Sequence, residues 1–227
     1  MTPGEVGAWR TAERRRLLTL REAVAPATRE EWRRLIDGHL TRAFPGLASA
    51  TLAFCWPIRG EYDARPLAQR LRDGGATTAL PAVVARGAPL VFREWHPGVP
   101  LAEGPLGIPY PADSAAVTPT ALLVPMIGWD AAGHRLGYGG GYFDRTLASM
   151  PRRPWAIGVG YELGALPSIR PQPWDVPMDW VVTERGVYRC DPSGLAFLGQ
   201  GAAGVPGPLA SPVCYADEVA PGDPPAP

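Results

Sequence analysis

The chain has 227 residues, of which 46% are hydrophobic, and this is enough for one large domain with a buried core. Its 22 basic and 22 acidic residues cancel, so the charge balance gives no reason to expect nucleic acid or an anionic membrane as a partner. The three cysteines form no CxxC pair and have no histidine at zinc spacing, which favours incidental thiols over a metal site. Every basic residue is Arg, so no Lys is available to bind a phosphate.

The N-terminal segment and the hydropathy of the chain predict a cytoplasmic protein. Glu5, Arg10 and Glu13 lie near the N-terminus without an apolar stretch, so we do not expect a secretory signal peptide. No segment approaches the run of about 18 apolar residues that a membrane-spanning helix needs. We expect a protein without a membrane partner that acts as a monomer, with a dimer as the alternative.

Helical periods are clearest in the first part of the chain. Residues 5–24 are predicted to form the first helix. The second is predicted to begin at Thr28, where Thr28 and Glu31 form a capping-box pattern, and to continue to Phe44. The further predicted helices are 65–73 and 142–150.

Short apolar runs between the helices predict strands. One run contains Pro125, a residue that is typical of the edge or the end of a strand. Residues 98–119 are rich in Pro and Gly and are predicted to form an ordered irregular excursion. The predicted strands are 51–56, 79–84, 90–95, 121–127, 155–161, 180–183 and 187–190.

The alternation of strands and helices indicates an α/β fold with a mainly parallel sheet. We expect one domain over residues 1–198 and, over 199–227, a mobile tail of Gly, Pro and Ala without periodicity. Ligands of parallel sheets bind at the carboxyl ends of the strands. The loops 57–63 and 135–145 both follow predicted strands, so we expect them to meet at one edge of the sheet.

The segment 135–145, RLGYGGGYFDR, has the composition of a phosphate-binding loop. Its glycines permit backbone angles that turn several N–H groups toward one anion, and the following helix adds a favourable dipole. Arg135 and Arg145 add forked donors, and Asp144 can cap the helix or hold a cation. A flexible turn with a capping Asp accounts for the same residues, because the loop is neither a Walker A sequence nor a dinucleotide fingerprint.

The longer segment 123–145, LVPMIGWDAAGHRLGYGGGYFDR, resembles the signature of the 5-formyltetrahydrofolate cyclo-ligase (5,10-methenyltetrahydrofolate synthetase) family. The basic first helix, the GEYD loop, the turn at 107–111 and the segment 174–184 match family features in the same order. The resemblance therefore covers roughly residues 8–190. It implies a Rossmann-like three-layer fold of the NagB/RpiA/CoA-transferase type, with helices on both faces of the sheet.

The resemblance also implies an ATP site, to which the first helix and the glycine loop contribute. Members of the family often carry Lys at the position of Arg10, and some carry Lys at the position of Gly140. The implied catalytic residues are Arg14, Arg135, Tyr142 and Asp144. The implied ATP-binding residues are Arg10, Arg14, Arg135, Leu136, Gly137, Tyr138, Gly139, Gly140, Gly141, Tyr142, Phe143 and Arg145.

Asp144 and Asp175 match the magnesium ligands of the family, and two carboxylates with waters and phosphate oxygens suffice for Mg²⁺. Asp179 is an equally plausible carboxylate by composition, and Trp174 stands where a His is frequent. The alternative role of either Asp is a helix cap or a turn residue.

Glu61 matches the folate-binding acid of the family, and its carboxylate suits the paired donors of a pterin. Leu106 stands where the family often has an aromatic ring, and Trp56, Trp95 or Tyr110 could supply another aromatic surface. The implied folate-contacting residues are Glu61, Leu106, Tyr138, Gly139, Gly140, Gly141 and Tyr142.

The implied reaction uses Mg²⁺ and ATP to convert 5-formyltetrahydrofolate into 5,10-methenyltetrahydrofolate, ADP and phosphate. The formyl oxygen is phosphorylated and N10 then attacks, so only small-molecule partners are involved and no protein nucleophile is required. The departures at Leu106, Gly140 and Trp174 leave open a paralogue that binds nucleotide or folate but acts on another substrate or lacks activity. A regulatory or interaction protein that uses the Pro-rich tail is a further alternative.

Overall fold

The computed structural model describes residues 1–191 and 194–199, and the side chains of Leu106, Asp191 and Leu195 lie outside this description. Four α-helices form in the described chain, and none of them is long and apolar enough to cross a membrane. The α-helices are α1 Pro3–Ala23, α2 Pro26–Ala43, α3 Arg65–Asp73 and α4 Tyr142–Ser149, and 3₁₀ turns cover Pro45–Ser49, Pro105–Gly107 and Glu162–Gly164.

The strands of the described chain form one large sheet and two small ones. Most of them are short, and the longest have six residues. The strands are β1 Thr51–Ala53, β2 Thr77–Ala82, β3 Val91–Glu94, β4 Ala102–Glu103, β5 Pro109–Tyr110, β6 Ala116–Val117, β7 Ala121–Pro125, β8 Gly128–Asp130, β9 Arg135–Leu136, β10 Trp155–Val159, β11 Ala165–Leu166, β12 Trp180–Thr183, β13 Gly186–Asp191 and β14 Gly194–Gly199.

The large sheet has, within the described residues, nine strands in the order β14-β13-β12-β10-β7-β1-β2-β3-β6. Its five central strands, from β12 to β2, run parallel to one another. Antiparallel pairing extends it at both edges, through β13 and β14 on one side and β3 and β6 on the other. The predicted mixed α/β fold with a mostly parallel central sheet is therefore confirmed.

Helices cover both faces of the large sheet. On one face Leu40 of α2 and Leu67 of α3 share a core with Leu123 of β7. On the other face Leu147 of α4 packs in a core with Leu122, the preceding residue of the same strand. Successive side chains of β7 thus enter two different cores, as the alternation of a strand requires. The layers agree with the predicted three-layer fold, whereas the NagB/RpiA/CoA-transferase type stays a prediction.

The helix α1 packs on a small sheet formed by β11, β8 and β9. Leu17 and Leu18 of α1 are buried together with Ile127, Leu136 and Ile169. Because Leu136 ends β9, this packing holds α1 beside the glycine loop that follows. The polar side of α1 is thereby placed at the loop.

The start of α2 differs from the prediction. The helix begins at Pro26 rather than at Thr28, and its N-cap, Ala25, receives no side-chain hydrogen bond. Proline at the first helical position has a suitable φ and no N–H to satisfy, so it decides the start. A capping box forms instead in α1, between Thr2 and Glu5.

The structure shows strands in two segments where the sequence analysis predicted none, residues 98–119 and Gly194–Gly199. The excursion over 98–119 contains β4, β5 and β6, each of two residues, and the 3₁₀ turn Pro105–Gly107, and is otherwise irregular. The strand β14 was not predicted, and Gly199, the first residue of the predicted tail, is its last residue. Residues 200–227 lie outside the described residues, so the predicted division into domain and tail stays a prediction.

Candidate active site

A cavity of about 270 Å³ opens at the carboxyl ends of the parallel strands. It is walled by Trp56, which follows β1, and by Pro125, which ends β7. The two loops that were expected to meet here do so, because Tyr138 Oη donates a hydrogen bond to Glu61 Oε1 over 2.9 Å. The cavity therefore has a loop end, at 137–141, and a Glu61 end.

Almost all residues predicted for the site line this cavity. Arg145 instead braces the loop, since its Nη2 donates to the Gly140 carbonyl over 2.6 Å and its guanidinium lies 5.1 Å from the centre of the Tyr142 ring. Leu106 belongs to the 3₁₀ turn Pro105–Gly107, and its side chain lies outside the described part of the structure. The predicted residues that line the cavity are Arg10, Arg14, Glu61, Arg135, Leu136, Gly137, Tyr138, Gly139, Gly140, Gly141, Tyr142, Phe143, Asp144 and Asp175.

The glycine loop lines the cavity at its loop end. Gly139 has a φ of +96° and Gly141 a φ of +63°, conformations that disfavour side chains. Arg14 Nε donates to the Gly137 carbonyl over 2.6 Å, so the Arg14 guanidinium is fixed against the loop by a backbone carbonyl. The N–H groups of Gly139, Gly140 and Gly141 donate no hydrogen bond within residues 1–191 and 194–199. Together with the N-terminus of α4, which begins at Tyr142 and has no side-chain cap, these N–H groups are available to an anion.

Gly140 is favoured by the position of the Tyr142 ring. A Cβ at this position would lie 2.8 Å from Cδ2 of the Tyr142 ring, a distance that real Cβ atoms avoid. The absence of Lys at this position therefore has a steric reason here. Arg145, which bonds the carbonyl of Gly140, brings a cation to the same turn.

Two carboxylates at the loop end are each paired with an arginine. Asp144 Oδ1 lies 2.9 Å from Arg135 Nη2 and accepts the N–H of Val176 over 3.0 Å. Asp175 is bound by both Nη atoms of Arg10. Arg10 also donates to the carbonyls of Ile169 and Arg170, so most of its N–H groups are already engaged. The negative charges are held in fixed places by compensating cations.

The two carboxylates are the residues that would hold a magnesium ion. The polar contacts of Asp144 use Oδ1, and its Oδ2 makes no hydrogen bond or ion pair within the described chain, so it is available to a cation. The described residues contain no group of three or more His, Cys, Asp or Glu that could hold a metal. The compositional alternative, Asp179, does not line the cavity and instead bonds Arg153 and the N–H of Ala156.

Burial acts on the arginines of the loop end. It lowers the pKa of Arg135, while Asp144 and Asp175 oppose this shift. Burial and then the positive charge of Arg10 lower the pKa of Arg14, and Asp175 again opposes. Because a guanidinium starts from a very high pKa, both side chains remain cations at neutral pH.

Glu61 is the only carboxylate lining the other end of the cavity, within the described residues. Its side chain is 5% exposed, and it accepts the N–H of Ile58 over 3.1 Å in addition to the Tyr138 hydroxyl. Burial raises the pKa of Glu61, and the charge of Arg21 together with these two hydrogen bonds opposes the rise. A buried acid with few partners is the kind of group that recognises paired N–H donors.

The walls around Glu61 are mainly apolar. Of the aromatic residues considered for this surface, Trp56 and Tyr110 line the cavity. Trp95 does not, because it is buried in the core with its ring 5.2 Å from that of Phe54. Trp174 also lines the cavity, beside Asp175, and it is 67% exposed.

Arg21, which the sequence analysis left without a role, is bonded to the site from below the cavity lining. Its side chain is 3% exposed, and its Nη2 donates to the Tyr138 hydroxyl over 2.7 Å and lies 3.8 Å from Glu61 Oε1. The sequence did contain a signal for its location near the site, because Arg10, Arg14 and Arg21 recur on one face of the same helix. Spacing gives the face of a helix but not the depth of burial.

The comparisons with known proteins agree with this geometry. The profile of the 5-formyltetrahydrofolate cyclo-ligase family matches residues 6–184. The chain belongs to this family. The family member of Mycolicibacterium smegmatis with that name is 31% identical over 196 residues, which are 82% of this chain and 98% of that protein. The one of Escherichia coli K12 is 29% identical over 175 residues, 74% of this chain and 96% of that protein.

A solved structure of the family supports the fold. The NMR structure of Aquifex aeolicus 5,10-methenyltetrahydrofolate synthetase superposes with a TM-score of 0.70 at 27% identity, covering 79% of this chain and 92% of that one. The predicted family and its ligase class are therefore confirmed. The cytoplasmic location, the monomeric state and the individual roles of the site residues stay predictions.

Proposed function

We propose that the protein converts 5-formyltetrahydrofolate and Mg·ATP into 5,10-methenyltetrahydrofolate, ADP and phosphate. The observation that carries the proposal is a single cavity with an anion-binding loop at one end and a buried carboxylate at the other. Tyr138 belongs to the loop and bonds Glu61, so the two ends are in direct contact. An enzyme that phosphorylates one substrate with another needs this adjacency.

The Glu61 end would bind the pterin. The carboxylate of Glu61 would accept two N–H groups of the ring, and the apolar walls at Trp56 and Tyr110 would exclude water from it. The formyl group would then face the loop end. Orientation of the substrate by a few polar anchors is what phosphoryl transfer mainly requires.

The loop end would bind the triphosphate. The free N–H groups of 139–141 and the guanidinium groups of Arg14 and Arg135 stabilise the negative charge of the transferring group. The formyl oxygen attacks the γ-phosphorus, and the bond from that phosphorus to ADP breaks. N10 of the folate then attacks the activated formyl carbon, the C–O bond breaks to release phosphate, and the proton of N10 passes to solvent.

Magnesium would be held by Asp144 and Asp175, and when bound it neutralises charge on the phosphate oxygens. Asp175 then shares its carboxylate with Arg10, which is already bonded to it. Tyr142, at the start of α4, would help to place the nucleotide through its position on the cavity wall.

The test is a spectrophotometric assay of the purified protein. Incubation with 5-formyltetrahydrofolate and Mg·ATP should produce methenyl absorbance, and omission of ATP should abolish it. Calorimetric titration with each substrate accompanies the assay. A folded protein that binds both substrates without an absorbance change would disprove the activity and favour the non-catalytic paralogue.

A further inference from the structure

Arg21 has an unusual environment for an arginine. Its side chain is almost completely buried, although it sits on a helix whose neighbouring charged residues, such as Arg16, are largely exposed. Burial of a cation is costly unless hydrogen bonds and a counter-charge compensate for it. The compensating partners of Arg21 therefore indicate what it does.

These partners come from three separate segments that meet at the cavity. Nε donates to the carbonyl of Arg59 over 3.0 Å, and Nη1 donates to that of Met126 over 3.4 Å. Nη2 donates to the hydroxyl of Tyr138 over 2.7 Å, and that hydroxyl donates to Glu61. One guanidinium thus joins the loop of Glu61, the end of β7 and the glycine loop.

Arg21 is also the nearest cation to Glu61. The groups that face the Glu61 carboxylate are Arg21 from α1, Tyr138 from the glycine loop, Cys55 after β1 and Tyr161 after β10. None of the last three is a cation. The 3.8 Å contact with Arg21 supplies the charge that opposes protonation of this buried acid.

We propose that Arg21 is a positioning residue, which fixes the Glu61 carboxylate and the Tyr138 hydroxyl against each other and so ties the folate-binding acid to the nucleotide loop. The proposal rests on the proposed function, because it assumes that Glu61 binds folate. Arg21 itself does not touch the substrates, and it acts through the two side chains that do.

A purely structural Arg21 would have different consequences. In that case its removal would lower stability and weaken both ligands together. A positioning Arg21 acts first on Glu61, so its removal weakens folate binding more than nucleotide binding. Removal also takes away the charge that opposes protonation, so the pKa of Glu61 rises further and folate binding is lost at a higher pH on the acid side.

The experiment compares Arg21→Met and Arg21→Lys with Arg16→Met, a control on the same helix whose contact is with Glu13. Dissociation constants for 5-formyltetrahydrofolate and for Mg·ATP are measured separately by calorimetry from about pH 4.5, the ordinary pKa of a Glu carboxyl, up to about pH 8.5. Arg21→Met should weaken folate binding about tenfold or more, with a smaller effect on Mg·ATP binding. The fall of folate affinity at low pH, which we call the acid limb, should move to higher pH. Arg16→Met should behave as the unmodified protein.

Arg21→Lys keeps the charge but cannot reach Tyr138 and both carbonyls at once. It should leave the acid limb close to its original pH while weakening folate binding several-fold. Unchanged folate affinity in this variant overturns the positioning role, even if Arg21→Met does not fold. Equal losses of folate and Mg·ATP affinity without a shift of the acid limb also overturn it. Failure of the unmodified protein to bind folate would instead refute the proposed function.

Discussion

The two ends of the cavity solve the problem of buried charge in different ways. At the loop end the carboxylates of Asp144 and Asp175 are each paired with an arginine, and backbone N–H groups remain free. At the other end the single carboxylate of Glu61 is buried against apolar walls, with its cation at 3.8 Å. The loop end is therefore preorganised for a highly charged ligand, whereas the Glu61 end retains an acid that a substrate must satisfy.

The largest effect is expected from Asp144→Asn. The substitution removes a candidate cation ligand and the partner of the buried Arg135, so turnover should fall about 100-fold or more. Initial rates of methenyl formation at saturating substrates measure this. Asp73→Asn, at the exposed end of α3, serves as the control. A rate like that of the unmodified protein would remove Asp144 from the site.

The next effect should separate the two ends. Glu61→Gln replaces a charged acceptor by a neutral one, so 5-formyltetrahydrofolate should bind about tenfold more weakly or worse. Mg·ATP affinity should change by less than about twofold, because the loop end keeps all of its charges and donors. Calorimetry of each ligand alone measures both constants. Parallel losses for the two ligands would break the distinction between the ends.

The conformation of the loop predicts a third effect, on stability. Gly139→Ala should lower the free energy of unfolding by about 1–2 kcal/mol, because Gly139 has a φ of +96° and a Cβ there would lie 3.4 Å from Arg14 Cζ. At Gly137 a Cβ would meet no atom within 4 Å and no positive φ is involved, so Gly137→Ala should cost less. Urea denaturation compares the two variants. Equal costs would contradict the assigned loop geometry.

The smallest effect is on the pH dependence of stability, compared between the unmodified protein and Glu61→Gln. Burial raises the pKa of Glu61 above its ordinary value of 4.5, so the unmodified protein should lose stability relative to the variant as the pH rises through that raised pKa. At a pH below the ordinary carboxyl pKa, the acid is protonated in both the folded and the unfolded state, and the stability difference should no longer change with pH. Thermal unfolding at several pH values measures this. A stability difference that is the same at every pH would contradict it.

The sequence predicted those helices and strands that have a hydrophobic period or that end at a Pro or Gly residue. The sequence predicted the buried strand β7 and the periodic helices α1 and α2, because burial on both faces and amphipathicity leave clear patterns. The strands β8, β9 and β11 were not, since strands of two or three residues have no period and depend on tertiary pairing. The start of α2 was wrong because Pro26 outweighs a capping pattern at Thr28.

The site was predictable in its membership and less so in its pairing. The glycine loop, Glu61 and Asp175 follow from motif order, and the structure brings them to one cavity. The sequence does not show that Arg10 binds Asp175 or that Arg21 lies beneath Tyr138, because both contacts join distant segments. Local spacing carries no information on such pairs.

The bond between Arg10 and Asp175 has a consequence for how the protein folds. It joins residues 165 positions apart, so the loop end is completed only when the beginning of the chain meets a segment near the end of the family domain. Contacts of such high sequence separation form late, since the closure entropy must be overcome first. During synthesis we therefore expect the loop end of the cavity to assemble among the last features of the domain, and a chain that stops before residue 175 lacks its Arg10–Asp175 pair.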